Sequence, residues 1–355
     1  MATMLIVVLA GFIFCLALLT WLTASQRWHY TEYLYNLEYF NFKQFDGGIA
    51  AVEKKNPAAL GALHNLLRMM PERLFVAVFI MMIPFTIMMD FPPTIIALAL
   101  AASGGFLNQP LHTLAGRIQF FWAMLGGRDH HGTWTPLARA EFQRIGELHR
   151  GSEHAPPKRK VSPATHRPDM TNVLVEVYFT VRWWNRRLGW RKLLPEEERL
   201  ICLWLADIAY GMGIPGFPLT PEEFTQRRLL YHRFHFPSAT PETSQALLNG
   251  LLGGLRQLVH GYLSVATLRA LVLAAERPEF ADAFRLPRPR WWVRLPVQLA
   301  LLGIKHFFLL PLAFFAPYRR LHFPYEKLVR WFQAQAKRYE PAVERPRESS
   351  APPAA

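Results

Sequence analysis

Cysteine is nearly missing from this chain, with two among 355 residues. Cys15 lies in an apolar N-terminal run and Cys202 in an expected core helix. Neither has a partner at metal-ligand spacing, and no C-x-x-C or C-x-x-C-H occurs, which argues against a disulfide scaffold, a cysteine-type zinc site and covalently attached c-type haem. A P-loop, a dinucleotide-binding glycine fingerprint and a Ser-His-Asp order are also missing. Strand-like alternation is scarce, so a βαβ or sandwich architecture is not expected. Acidic residues are outnumbered: 26 Asp and Glu face 40 Lys and Arg, for a net charge of +14. No recognised nucleic-acid motif accompanies that charge, so nucleic acid is not expected as a partner.

Apolar residues and helix formers are plentiful. Hydrophobic residues make up 51% of the chain and mean hydropathy is +0.08, apolar for a soluble protein yet too polar for a multi-span membrane protein. The expected fold class is all-α, one helical domain preceded by an N-terminal transmembrane helix. The basic residues cluster at Lys158–Lys160, Arg186–Arg187, Arg227–Arg228 and Arg319–Arg320. Anionic headgroups attract such juxtamembrane charge, so membrane lipids are the expected partner.

Residues 4–25, MLIVVLAGFIFCLALLTWLTAS, carry no charge and are long enough to span a bilayer as a helix. A signal peptide is the alternative, but a basic n-region and a clear A-x-A site are lacking. Trp28, Tyr30, Tyr33 and Tyr35 follow as an aromatic belt. Residues 1–27 are therefore read as a single-pass anchor. Lys and Arg after the span place the body, residues 28–338, on the cytoplasmic side. Residues 74–103 and 295–317 are also apolar but are interrupted by Pro84, Asp90, Pro92 and Pro93 and by Lys305 and His306. They are expected to be buried or interfacial helices, with true spans as the alternative. Residues 339–355 are low-complexity and expected to be disordered.

Helix starts are well marked. Thr135-Pro136 offers a cap and a first-turn proline for the helix containing LARAEFQRIGELHRG. Pro195 opens PEEERLICLWLADIAY, which stops at GMGIPG. Thr220-Pro221-Glu222-Glu223 reads as a capping box, and Thr240-Pro241 starts a helix expected to run to about residue 275. Residues 151–169, including Pro168 and Asp169, read as a loop.

His149 sits beside the apolar face of the first of these helices, in its last turn. A histidine there either interacts with the helix dipole or ligates a metal or haem iron. Phe120, Phe121 and Trp122 form an apolar stripe that is either core or the lining of a substrate pocket. Adjacent His130 and His131 suit a solvated loop better than a metal site. His232 and His235 share a helix face but lack the Glu-x-x-His pattern of a di-metal centre. Glu196, Glu197 and Glu198 are expected to be surface charges favoured by the helix dipole.

The order of these elements, clearest over residues 169–246, resembles the MpaB-type membrane-bound oxygenases, the family that contains the rubber oxygenases (latex-clearing proteins). An I-x-x-x-H helix end (Ile145 to His149) is followed by Pro168-Asp169 and the apolar helix NVLVEVYFTVRWW. Then come LGWRKLLPEEERLICLWLADIAYGMGIPGFPLTPEEF and LYHRFHFPSATPETSQAL. The resemblance implies a helical fold around a buried pocket holding non-covalent haem b. O2 would be co-substrate, and a lipophilic, isoprenoid-type small molecule would be oxidised or cleaved. Carried over by position, His149 would be the proximal metal ligand. Arg117 would be the arginine of the family's R-x-x-x-T motif, paired with a haem propionate, and with His235 it is a candidate catalytic residue. The chain departs from the family at Phe121, which replaces the threonine, at Phe120, where a lysine can stand, and at Ala209 and Tyr210. Those departures favour the rival reading, a non-catalytic membrane-associated lipid-binding or assembly protein on the same scaffold.

Overall fold

A computed structural model describes residues 30–70, 120, 127–153, 167–188, 191–235, 241–258, 261–275, 286–303, 306 and 334. The apolar run 4–25, the segment 74–103, Arg117, Phe121, Trp122 and the 339–355 tail lie outside the described residues, as does most of 304–317. Among the described residues 77% are helical and no strand occurs, which agrees with the all-α expectation. None of their helices is long and apolar enough to cross a membrane.

The helices are α1 (30–38), α2 (Ile49–Lys55), α3 (Pro57–Met69), α4 (Pro136–Glu153), α5 (Arg167–Leu188), α6 (Pro195–Gly211), α7 (Pro221–His235), α8 (Pro241–Leu258), α9 (Val265–Ala275) and α10 (Trp291–Gly303). Their starts follow the local chemistry. The Thr135 hydroxyl accepts the Ala138 N–H at 3.4 Å. Thr220 and Glu223 form the reciprocal box: the Thr220 hydroxyl accepts the Glu223 N–H, and the Glu223 carboxylate accepts the N–H groups of Leu219 and Thr220.

Three boundaries differ from the sequence reading. α4 runs on through residues 151–153, which read in the sequence as the opening of a loop. Pro168 and Asp169 belong to the first turn of α5, not to a loop; a proline near a helix start sacrifices no helical bond. The helix expected from residue 240 to about 275 is two. α8 ends at Leu258, Gly261 turns the chain at φ +78°, and the Ser264 hydroxyl accepts the Thr267 N–H at 3.0 Å to start α9.

α6 is the hub. It contacts α2, α3, α4, α5 and α7, and every residue from Leu200 to Ala209 is buried. Its run LICLWLADIA is apolar on all sides apart from Asp207, the pattern of a helix enclosed by protein. α8, α9 and α10 form a satellite group around Leu248, Leu252, Leu268, Leu273 and Leu286. Arg187 at the end of α5 ties that group to the body through the Ala275 carbonyl and the Gln298 side chain.

Candidate functional site

Asp207 is the single acid inside the apolar stretch of α6, and it is fully buried. A buried carboxylate is tolerable only when its oxygens are satisfied. Arg128 supplies most of that satisfaction. Its Nε donates to both oxygens at 3.1 and 2.9 Å, and its Nη2 donates to Oδ1 at 2.9 Å. Its Nη1 donates to Glu53 Oε1 at 2.9 Å and to the Gly132 carbonyl at 2.6 Å. The guanidinium also lies over the Trp134 ring, 4.0 Å from its centre. His64 on α3 places Nε2 2.9 Å from Asp207 Oδ2. With the carboxylate accepting from Arg128, Nε2 is the donor to it.

Close packing lets the loop reach this position. Arg128 and Trp134 form an isolated antiparallel bridge. A Cβ on Gly132, at φ +81°, would lie 1.9 Å from the Pro57 carbonyl oxygen, and one on Gly127 would lie 2.1 Å from the His64 ring. Only glycine fits either place. Tyr210, at the exposed rim, hydrogen-bonds Glu53, and that bond raises its hydroxyl pKa. His64 and Asp207 have the make-up of an acid–base pair, yet both are buried and spent on internal bonds. Their arrangement is a latch that clamps the 127–135 loop onto α3 and α6.

A second buried carboxylate corrects the surface reading for Glu197, while Glu196 is exposed as expected. Glu197 is fully buried. It accepts from Tyr33 Oη at 2.9 Å, from Arg191 Nη1 and Nη2 at 2.7 and 2.6 Å, and from the Leu194 N–H at 2.8 Å. Three residues of the LGWRKLLPEEE run thus knit the α6 entry to α1. Glu198 accepts from Tyr178 Oη at 3.0 Å and pairs with Arg182. Burial raises the Tyr178 hydroxyl pKa further than any charge nearby.

A third polar system runs along α5, where Asn172, Glu176 and Thr180 repeat every four residues and share a face. All three are fully buried. Glu176 accepts from Arg228 Nε of α7 at 2.8 Å, and Arg228 lies over the Phe179 ring. Among the described residues, Asn172 has no hydrogen-bond partner for either Nδ2 or Oδ1, and Thr180 has none for its hydroxyl. A buried donor or acceptor without a partner costs about 1–3 kcal/mol, which native chains seldom leave uncompensated.

The sequence candidates fall out unevenly. His149 lies on α4 one turn before its end, and His235 closes α7; their side chains, like that of His232, lie outside the described residues. Phe120 is buried and meets Phe142 of α4 edge-on, its ring centre 6.0 Å away, in a chain that continues to Trp134 and His64. That is a core contact. His130 and His131 are exposed, as a solvated loop requires. No group of three or more metal-ligating side chains occurs among the described residues. Arg128, Asp207, His64 and Glu53 were not among the sequence candidates; the signal available was one acid in an otherwise apolar decamer.

Asn172 and Thr180 are fully buried by the chain itself, so they border no space a porphyrin could fill, and their unpartnered atoms are a packing cost. The donor chemistry alone suits the implied haem: an imidazole at position 149 can hold iron. Compared with protein-family models, with curated proteins and with solved structures, the chain matches none.

Proposed function

We propose that this chain is a membrane-associated helical oxygenase of the MpaB type, acting on a lipophilic substrate. Two things support the reading: the all-helical body and the order of motifs along α4 to α7. The observation that carries it is His149, placed on α4 one turn before its end and ahead of the α5 to α7 series. Haem b, when bound, would supply O2 activation, chemistry that amino-acid side chains lack. His149 would hold the iron. The apolar side chains around α6 would keep water out.

The test is the optical spectrum of purified full-length protein expressed with added haem precursor. A Soret band and one haem per chain are expected. His149→Ala should abolish both. A colourless, iron-free wild-type protein overturns the reading. The rival, a non-catalytic lipid-binding or assembly protein, is favoured by Phe120, which packs into the core where the resemblance suggests a pocket. Haem-free protein that binds lipid would support it.

A further inference from the structure

We propose that α10 is a membrane-docking helix lying in the plane of an anionic lipid surface. Its residues Trp291, Trp292, Leu295, Leu299 and Leu302 are 75, 57, 52, 58 and 48% exposed. At about 100° per residue, these five fall within an arc of roughly 100°, one continuous apolar face. An exposed contiguous apolar face of this kind marks an interaction surface.

The opposite side of the helix, Val293, Val297 and Leu301, is half-buried. At the edge of the apolar arc, Gln298 Nε2 donates to the Ala274 carbonyl at 2.8 Å, and the Gln298 side-chain oxygen accepts from Arg187. α10 is thereby pinned against α9 with its leucines and tryptophans outward. The stretch Trp291–Gly303 carries Arg294 and Gln298 within it, so it suits the interfacial plane of a bilayer and not its hydrocarbon core.

Charge selects the occupant. Arg290 and Arg294 stand at the start of α10, and residues 286–303 contain no acid, on a chain of net charge +14. A second copy docked face to face would bring these arginines against their own counterparts. Lipid phosphates would neutralise them. Paired tryptophans at one end suit the headgroup level, where an amphipathic ring keeps its N–H wet and its body dry. The lipid phosphates therefore face the arginines while the leucines reach the acyl boundary.

The full-length chain in nanodiscs of phosphatidylcholine and phosphatidylserine tests this, with acyl-chain-brominated phosphatidylcholine as the quencher. Wild-type tryptophan emission should be quenched more than that of W291F/W292F, whose remaining tryptophans give the baseline. The excess should vanish in L295E/L299E, with unchanged circular dichroism because both positions are exposed. In R290Q/R294Q, docking should weaken roughly fivefold for each arginine removed. Equal quenching of wild type and W291F/W292F overturns the proposal. In that event, a dimer by light scattering that L295E/L299E splits makes the face a contact between copies. A monomer whose Trp291 and Trp292 resist iodide makes it the seat of another segment of this chain.

Discussion

Arg128 grips Asp207 through two of its nitrogens, and both residues are buried. They stand 79 positions apart in the chain. The pair joins a glycine-rich loop to the central helix, and its worth lies in what either partner becomes when the other is removed. Arg128→Met should leave Asp207 buried without its main donor, at a cost of about 3–5 kcal/mol. Chemical denaturation of wild type, R128M, D207N and the double variant reads this directly. A loss under about 1 kcal/mol for R128M would show that the clamp is incidental.

Gly132 and Gly213 separate backbone strain from steric exclusion. Their φ values are +81° and +77°, so alanine meets the same strain at both. At Gly213 the added methyl meets nothing within 4 Å, whereas at Gly132 it meets the Pro57 carbonyl at 1.9 Å. G213A should cost about 1 kcal/mol, and G132A several times as much, with the loop displaced. Thermal melts of the two variants side by side are sufficient.

Asp129 should resist protonation. The Thr133 N–H, first, and then that of His131 hold its carboxylate below the ordinary value of 3.8. A depressed folded-state pKa contributes stability that is present above the unfolded value and lost as pH falls through the folded one. The loop should therefore stay closed at pH 4 and loosen below it. Carboxyl carbon chemical shifts across an acid titration check the order, and D129N should erase this step.

Cys202 should behave as an inert thiol. It is fully buried, and burial above all raises its pKa. The thiolate is the reactive form, so native protein should show no alkylation at this position by peptide mapping. Labelling should appear only under unfolding conditions.

The sequence exposes its punctuation better than its polar interior. Thr135-Pro136, Pro195 and Thr220-Pro221 announce helix starts because a cap is satisfied within four residues. Asp207, Arg128 and His64 carry no such local signature, since their partners come from other helices and from a loop. Glu197 shows where periodicity stops helping. Three successive glutamates look alike in a string, and the decamer after them is buried on every side, so helical spacing does not single out Glu197; its partners Tyr33 and Arg191 do. The break at Gly261 is harder to see, because apolar spacing resumes on its far side and disguises two helices as one. Asn172 reads as an ordinary helix residue until its neighbours are known.

The enclosure of α6 sets how this molecule opens. A helix whose middle has no solvent face cannot swing aside by itself; freeing residues 200–209 requires five neighbouring helices to move apart. Amide protons from Leu203 to Ile208 should therefore exchange with deuterium only through global unfolding, while those of α10, held on one side alone, exchange through local excursions.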